Sequence, residues 1–96
     1  MQDINITVTK QHIEIVDHPR LIAGTKNYLL ARFSFDSTWA GFMKVAVFCR
    51  DYPVAIRNNQ CVIPEEVTDR NSISVKVIGR KDDVQIVTDF AVIKQG

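Results

Sequence analysis

The sequence predicts an all-β domain, a β-sandwich or small barrel of seven or eight strands with one short helical turn. Apolar and polar residues alternate along most of the chain, which is the repeat of a strand with one buried face. Turn-forming residues separate these runs at regular intervals, a pattern typical of sandwiches and barrels. The 96 residues suffice for one domain with its own core, so we expect a single domain over residues 1–96.

The amino-terminal half of the sequence contains four predicted strands. The first covers residues 4–9 and the second residues 12–15, with apolar side chains at every second position. The third covers 26–35 and the fourth 43–50, and Asp36 between them is placed to cap a single turn through the free amides that follow. The side chains expected to face the core in the first three strands are Ile4, Ile6, Val8, Ile13, Ile15, Leu29, Ala31, Phe33 and Phe35.

The carboxyl-terminal half adds a hairpin, a short helical turn and two further strands. Asparagines at 58–59 tolerate the left-handed backbone that tight hairpins require, so the short apolar runs around them are expected to pair. The proline and two glutamates at 64–66 predict a short helical turn, because proline suits the first helical position and acids suit the positive end of the helix dipole. Residues 72–79 form a clearly alternating strand, and a last long strand covers 84–94.

Two strands have more apolar surface than a single core obviously needs. Ala46 and Phe48 lie on one face of the fourth strand, and neither face of that strand is cleanly polar. In the last strand, Val87, Ala91 and Ile93 share one face. Either a loop covers these faces, or they form an outward apolar patch that a partner or a second copy of the chain completes.

The charge balance excludes partners that are recognised mainly by electrostatic attraction. The chain has 12 basic and 11 acidic residues and a formal net charge of +1, whereas binding to nucleic acid or to an anionic membrane needs a clustered positive field. No apolar run approaches the roughly 20 residues that span a bilayer, and the first residues lack the features of a signal peptide. We therefore expect no nucleic-acid partner, no membrane partner, and synthesis in a cytoplasm.

No arrangement of side chains in the sequence predicts catalysis, a cofactor or a metal site. His12 and His18 lie on either side of a predicted strand end, and a metal ion would need further convergent ligands. Neighbouring acids such as Glu65 and Glu66 point apart and do not share a proton. The 4 glycines are isolated and form no phosphate-binding loop. We expect a protein that is not an enzyme and binds no cofactor.

The two cysteines lie inside apolar strand patterns. Cys49 and Cys61 are too few and too far apart for a zinc module, and the expected state is two reduced thiols in the core. A disulfide between neighbouring strands stays open, because the sequence does not show the geometry that this bond needs.

Aromatic residues in or next to the fourth strand are the candidates for contact with a partner. Trp39 is either a plug that seals one end of the sandwich or an exposed anchor of the kind that binding surfaces favour. The tight corner at Gly41 and Phe42 favours the plug. With Phe48 and Tyr52, Trp39 completes the set of residues that we expect to bind a partner protein.

Six short segments, taken together, carry a resemblance to a known family. They are GTKNYL at 24–29, FSF at 33–35, WAG at 39–41, KVAVF at 44–48, NNQCVIP at 58–64 and SVKVIG at 74–79. In their order and spacing, over about residues 4–94, the chain resembles the amino-terminal domain of phage tail-fibre and baseplate upper proteins from phages of Gram-positive bacteria. The resemblance implies an immunoglobulin-like antiparallel β-sandwich that attaches a longer appendage to the virion, and it supplies no catalytic residues.

Two functional hypotheses follow from these observations. The first is a non-enzymatic structural module that mediates protein–protein attachment or assembly in the tail, baseplate or fibre of a virion, in a homo-oligomer, by burial of apolar strand faces or by edge-strand pairing. The alternative is a small phage-encoded inhibitor that binds and blocks a host defence protein by its shape, since the near-neutral charge argues against a mimic of nucleic acid. A carbohydrate-binding module ranks below both, because aromatic residues make up only 8% of the chain and mostly alternate inward.

Overall fold

The computed structural model, which describes residues 2–16, 29–68 and 70–94, consists of two β-sheets packed around one core. The described residues contain nine strands and two single 3-10 turns, Ser37–Trp39 and Glu65–Val67. The all-β, two-sheet prediction is confirmed, with nine strands where seven or eight were expected. The strands are Gln2–Thr9 (β1), His12–Ile15 (β2), Leu29–Phe35 (β3), Met43–Phe48 (β4), Tyr52–Ala55 (β5), Gln60–Val62 (β6), Ser72–Lys81 (β7), Val84–Val87 (β8) and Ala91–Lys94 (β9).

The two sheets differ in strand number and in strand direction. The four-stranded sheet has the order β2-β1-β3-β6, and the five-stranded sheet has the order β5-β4-β7, with β8 and β9 both paired to the far edge of β7. Strands β1 and β3 are parallel, with Ile6 opposite Phe33, whereas the other strand pairs in the described residues are antiparallel. The parallel pair arises because β3 joins the far edge of β1 instead of the edge of β2.

The core lies between the inward faces of the two sheets and follows the alternation predicted from the sequence. The expected inward residues of β1, β2 and β3 are all buried, except that Phe35 is half-buried and packs against the core. Strand β7 contributes Ile73, Val75 and Val77, each with 0% of its surface exposed. Residues 26–28 of the predicted third strand lie outside the described residues.

The sequence left open the direction of the β4 face that contains Ala46 and Phe48, and in the structure this face points toward the core. Ala46 and Phe48 are both 0% exposed, and Phe48 lies opposite Val75 of β7. Their face is therefore part of the single core and not an outward patch. Because strand side chains alternate, the outward face of β4 is the opposite one, with Val45 and Val47.

The turn after β3 places Trp39 inside the domain. Asp36 caps this turn as predicted, since its Oδ1 accepts a hydrogen bond from Thr38 N and its Oδ2 accepts one from Lys10 N. Trp39 is 0% exposed, and its Nε1 donates to Lys10 O at 2.8 Å. Trp39 thus joins the β1–β2 turn to the core, which is the plug interpretation.

The predicted tight turn at Asn58 and Asn59 is confirmed, but the strands around it do not pair as a hairpin. Both asparagines have left-handed backbone, with φ of 54° and 59°, and a single bridge joins Arg57 to Gln60. Strand β5 before the turn belongs to the five-stranded sheet, and β6 after it belongs to the four-stranded sheet. The turn therefore carries the chain from one sheet to the other.

Strands β8 and β9 together cover the predicted last strand, but a β-bulge separates them. Val87 at the end of β8 pairs with Ile78, and Ala91 at the start of β9 pairs with Val75. The chain advances four residues from Val87 to Ala91, whereas the paired part of β7 advances only three, from Ile78 to Val75. The one extra residue defines a β-bulge. The extra residue allows Asp89 to bond to the four-stranded sheet.

Thr88 holds the bulge through a buried hydroxyl. Its Oγ1 accepts a hydrogen bond from Val77 N at 2.9 Å and donates one to Asp89 O at 2.8 Å. Thr88→Val keeps the shape but removes both bonds, so we expect it to lower the free energy of unfolding by about 1–3 kcal/mol. Urea denaturation followed by circular dichroism measures this loss. Thr88→Ser keeps the hydroxyl and should lose clearly less, whereas wild-type stability in Thr88→Val would contradict this role.

Candidate functional site

The described residues contain no constellation that resembles a catalytic or metal centre. No group of three or more His, Cys, Asp or Glu side chains among them could hold a metal ion. Cys49 and Cys61 are free thiols, and burial raises the pKa of Cys61 to about 12, so this thiol stays protonated and unreactive. Within the same residues, no helix is long and apolar enough to cross a bilayer.

Two of the three expected contact residues lie in the core. Trp39 and Phe48 are 0% exposed, because the first packs among Phe35 and Phe42 and the second lies on the inward face of β4. Their side chains therefore present no surface to a partner, which corrects the expectation drawn from the sequence. Tyr52 is half-buried and retains some accessible surface.

The structure presents a different apolar surface, on the outward side of the five-stranded sheet. At its centre, one register row crosses four strands, β5, β4, β7 and β8, without a polar residue. The row consists of Ala55, Val45, Ile78 and Val87. We define the outer face as this row together with its outward apolar neighbours Met43, Val47, Pro53, Phe90 and Val92, of which Val47 is only 8% exposed. Met43 is 79% exposed and Phe90 is 52% exposed, so the face is open to solvent at both ends of β4.

The outward side of the four-stranded sheet has the opposite character. Its central strand β1 presents Asn5 and Thr7, and Asp3 of β1 forms an ion pair with Arg32 of β3 at 3.3 Å. The apolar strand residues on this side are Leu30 of β3 and Val62 of the edge strand β6, and Val62 is 44% exposed. An antiparallel sheet that faces water normally has this alternation of apolar inward and polar outward residues. The outer face of the five-stranded sheet departs from that pattern.

The edge of β5 is poorly suited to pair with another strand. Ile56 N donates to Lys44 O, so the alternate amides of Val54 and Tyr52 also point toward β4. The amide positions of residues 53 and 55 then point away from the sheet, and Pro53 has no N–H to donate. This leaves the outer face as the more suitable contact surface of the two.

A shallow cavity extends the outer face at the end of β4. It has a volume of about 250 Å³ and is lined by residues 42–45 and 55–59. Met43, Val45 and Ala55 belong both to this lining and to the outer face. The cavity is therefore continuous with the outer face at Met43, Val45 and Ala55, and its remaining lining includes Lys44, Arg57, Asn58 and Asn59.

His12, in the edge strand β2 of the four-stranded sheet, bonds to Asp89 in the bulge between β8 and β9 of the five-stranded sheet. Its Nδ1 lies 2.9 Å from Asp89 Oδ2, while Ile13 N donates to Asp89 Oδ1 and Asp89 N donates to Gln11 O. The hydrogen bond and charge of Asp89 raise the pKa of His12, with a smaller contribution from Glu14. Hydrogen bonds from His12 and then Ile13 lower the pKa of Asp89. His18, the other histidine, lies outside the described residues.

These pKa shifts make the His12–Asp89 tie strongest in mildly acidic solution. A raised pKa of His12 stabilises the fold fully below the ordinary value of about 6.5 and loses its effect as pH rises through the folded value. A lowered pKa of Asp89 stabilises above about 3.9 and loses its effect as pH falls through the folded value. We expect the stability gap between wild type and His12→Gln to be largest between about pH 4 and 6.5. Urea denaturation at about pH 5 and about pH 8 measures this gap, and a gap independent of pH would contradict the assignment.

Known proteins offer no function to transfer to this chain. No family model, no curated protein and no solved structure matches it.

Proposed function

We propose that this chain is a non-catalytic attachment module that binds another protein through the outer face. The observation that carries the proposal is the unbroken apolar row through Val45 and Ile78, on the side of the sheet turned away from the core. Ala55 is exposed, and Val45, Ile78 and Val87 are half-buried. Contiguous apolar surface that solvent can reach marks contact sites in soluble proteins. Its burial would stabilise a complex by about 25 cal/mol for each Å² removed from water, before the costs of association.

We propose further that the attachment serves a phage virion, in its tail, baseplate or fibre. The support for this step is the resemblance of residues 4–94 to the amino-terminal domains of tail-fibre and baseplate upper proteins. Attachment to another protein needs a contact surface and no catalytic group. The outer face supplies such a surface.

The proposal predicts that a charge at the centre of the outer face abolishes partner binding. Val45→Glu places a carboxylate within the apolar row, and Thr7→Glu is the matched control, because Thr7 is an outward, half-buried residue of the central strand β1. The tagged chain would be used to recover virion components from a phage lysate. We expect Val45→Glu to weaken binding at least about 30-fold, as for an interface hot spot, and Thr7→Glu to bind like wild type.

Two further measurements make this experiment decisive. Circular dichroism verifies that both variants are folded, and Val45→Thr, which is close to isosteric, replaces Val45→Glu if the latter is unfolded. Wild-type binding by a folded Val45 variant would contradict the role of the outer face. Recovery only of a host protein whose activity falls on binding would contradict the virion role and support the alternative, an inhibitor of a host protein.

A further inference from the structure

We infer that the occupant of the outer face is a protein surface with an apolar centre and carboxylates at its rim, and that it is not a second outer face. This inference rests on the proposed function and specifies its partner. It is drawn from the sign and position of the charges around the apolar row.

Cations flank the apolar row on both sides. Lys76, Ile78 and Arg80 alternate along β7 on the outward side, so each cation stands about 7 Å from the row along the strand. Lys76 lies opposite Val47, and Arg80 lies opposite Met43. A partner that covers the row would therefore meet a positive charge at either margin.

These two cations are positioned by neighbours on the same side of the sheet. Lys76 Nζ lies 5.4 Å from the centroid of the Phe90 ring, and Arg80 Nε donates to Gln85 Oε1 at 3.0 Å. Neither forms a salt bridge with a carboxylate of the described residues. Arg32 on the four-stranded sheet, by contrast, is paired with a carboxylate of its own chain.

The outward side of the five-stranded sheet carries no carboxylate among its described strand residues. Its third charged residue, Lys94 at the end of β9, is also a cation. The acids that adjoin these strands lie in the connections between them: they are Asp51, Asp82, Asp83 and Asp89, and Asp89 bonds to His12 of the other sheet. At one end, a cavity of about 250 Å³ adds two arginines to the margin. Its lining consists of Cys49, Arg50, Arg70, Ser72, Ser74 and Val92.

This charge pattern selects against a second outer face. Two copies packed face to face would bring the cations of the strands together in a partly dehydrated contact, which is unfavourable because no strand residue on this side is an acid. The nearest carboxylates, Asp82 and Asp83, lie in the β7–β8 turn beside Arg80, at the margin of the face. A partner with carboxylates around an apolar centre would instead pair Lys76 and Arg80 while covering the row. Charge complementarity of this kind contributes specificity and association rate.

The inference can be tested with two synthetic peptides and the full chain. Both have the same short centre of valine and leucine, flanked at both ends by glutamates in one peptide and by lysines in the other. Amide shifts of the ¹⁵N-labelled chain would report binding. We expect the glutamate peptide to shift amides of β4 and β7, to bind more weakly at about 0.5 M salt, and to bind more tightly than the lysine peptide.

A matched pair of variants locates the charge effect. Arg80→Gln should weaken binding of the glutamate peptide by roughly two- to fivefold, the loss of one partly exposed ion pair, whereas Arg32→Gln should leave it unchanged. Equal binding of the two peptides, binding of neither, or shifts confined to the four-stranded sheet would overturn the inference. So would a wild-type dimer that Val45→Glu disrupts.

The same variants separate this inference from the proposed function. If Val45→Glu abolishes binding of a virion component and Arg80→Gln leaves that binding unchanged, the proposed function stands and the inference of a partner with carboxylates at its rim is wrong. A partner unaffected by Val45→Glu would overturn the proposed function itself.

Discussion

Replacing Trp39 with alanine should lower the free energy of unfolding by about 3–5 kcal/mol, the usual cost of removing a large buried aromatic side chain. Trp39 is 0% exposed, and its ring centroid lies 5.4 Å from that of Phe35 and 6.1 Å from that of Phe42. The substitution would open a cavity between these rings and leave Lys10 O without its 2.8 Å hydrogen bond. Small domains have about 5–15 kcal/mol in total, so a large fraction of the stability would be lost.

The loss can be measured by urea denaturation and circular dichroism. Fluorescence is unsuitable because the chain has only 1 tryptophan. Phe90→Ala is the control, since Phe90 is 52% exposed and its truncation should cost less than about 1 kcal/mol. A similar loss in the two variants would show that Trp39 contributes no more than a surface aromatic residue.

Gly79→Ala should be the second most damaging substitution, with a cost of about 1–3 kcal/mol or somewhat more. A Cβ at this position would lie 2.5 Å from Trp39 Cζ3 and 2.9 Å from Trp39 Cε3, distances that real Cβ contacts essentially never show. The indole is held by Lys10 O and packs against Phe42, so it cannot simply withdraw. Either the ring or strand β7 would have to move.

A double-mutant cycle with Trp39 identifies the cause of this cost. Trp39→Leu removes the ring that the new Cβ would meet, so Gly79→Ala should cost less than about 1 kcal/mol in that background. Both pairs are compared by urea denaturation. An equal cost of Gly79→Ala with and without the indole would place the strain elsewhere, in the backbone of β7.

The two faces of strand β7 are expected to have different roles, the inward face in stability and the outward face in the proposed binding. Val75, Val77 and Gly79 face the core and Trp39, whereas Ile78 and Arg80 face outward. Substitutions at the first set should change the free energy of unfolding, and substitutions at the second should change partner binding with little change in stability. Substitutions of the outward residues can therefore test the proposed function while the chain stays folded.

The sequence predicted the strands whose two faces differ. Residues Ile4, Ile6 and Val8 alternate with polar neighbours, and all three are buried. A two-residue repeat of this kind determines the buried face without knowledge of any other strand. The asparagine pair at 58–59 likewise determined a left-handed turn from local backbone preference alone.

The candidate site was only partly predictable, because alternation does not distinguish the two faces of a strand that is apolar on both. Strand β4 has apolar residues on both sides, so its alternation indicated two apolar faces without showing which one was covered. The sequence left open whether the face with Ala46 and Phe48 was covered or outward, and the structure buries both residues completely. The outward row through Val45 appears only when the registers of four strands are known.

By itself, then, the sequence determined an all-β chain, the buried faces of its amphipathic strands and the absence of an evident catalytic motif. The tertiary structure alone decided the parallel pairing of β1 with β3, the bulge at residues 88–90 and which face of β4 is covered. The physical reason is that alternation and turn preference act between near neighbours in the chain. Strand order, register and the covering of a two-faced strand depend on contacts between residues far apart in sequence.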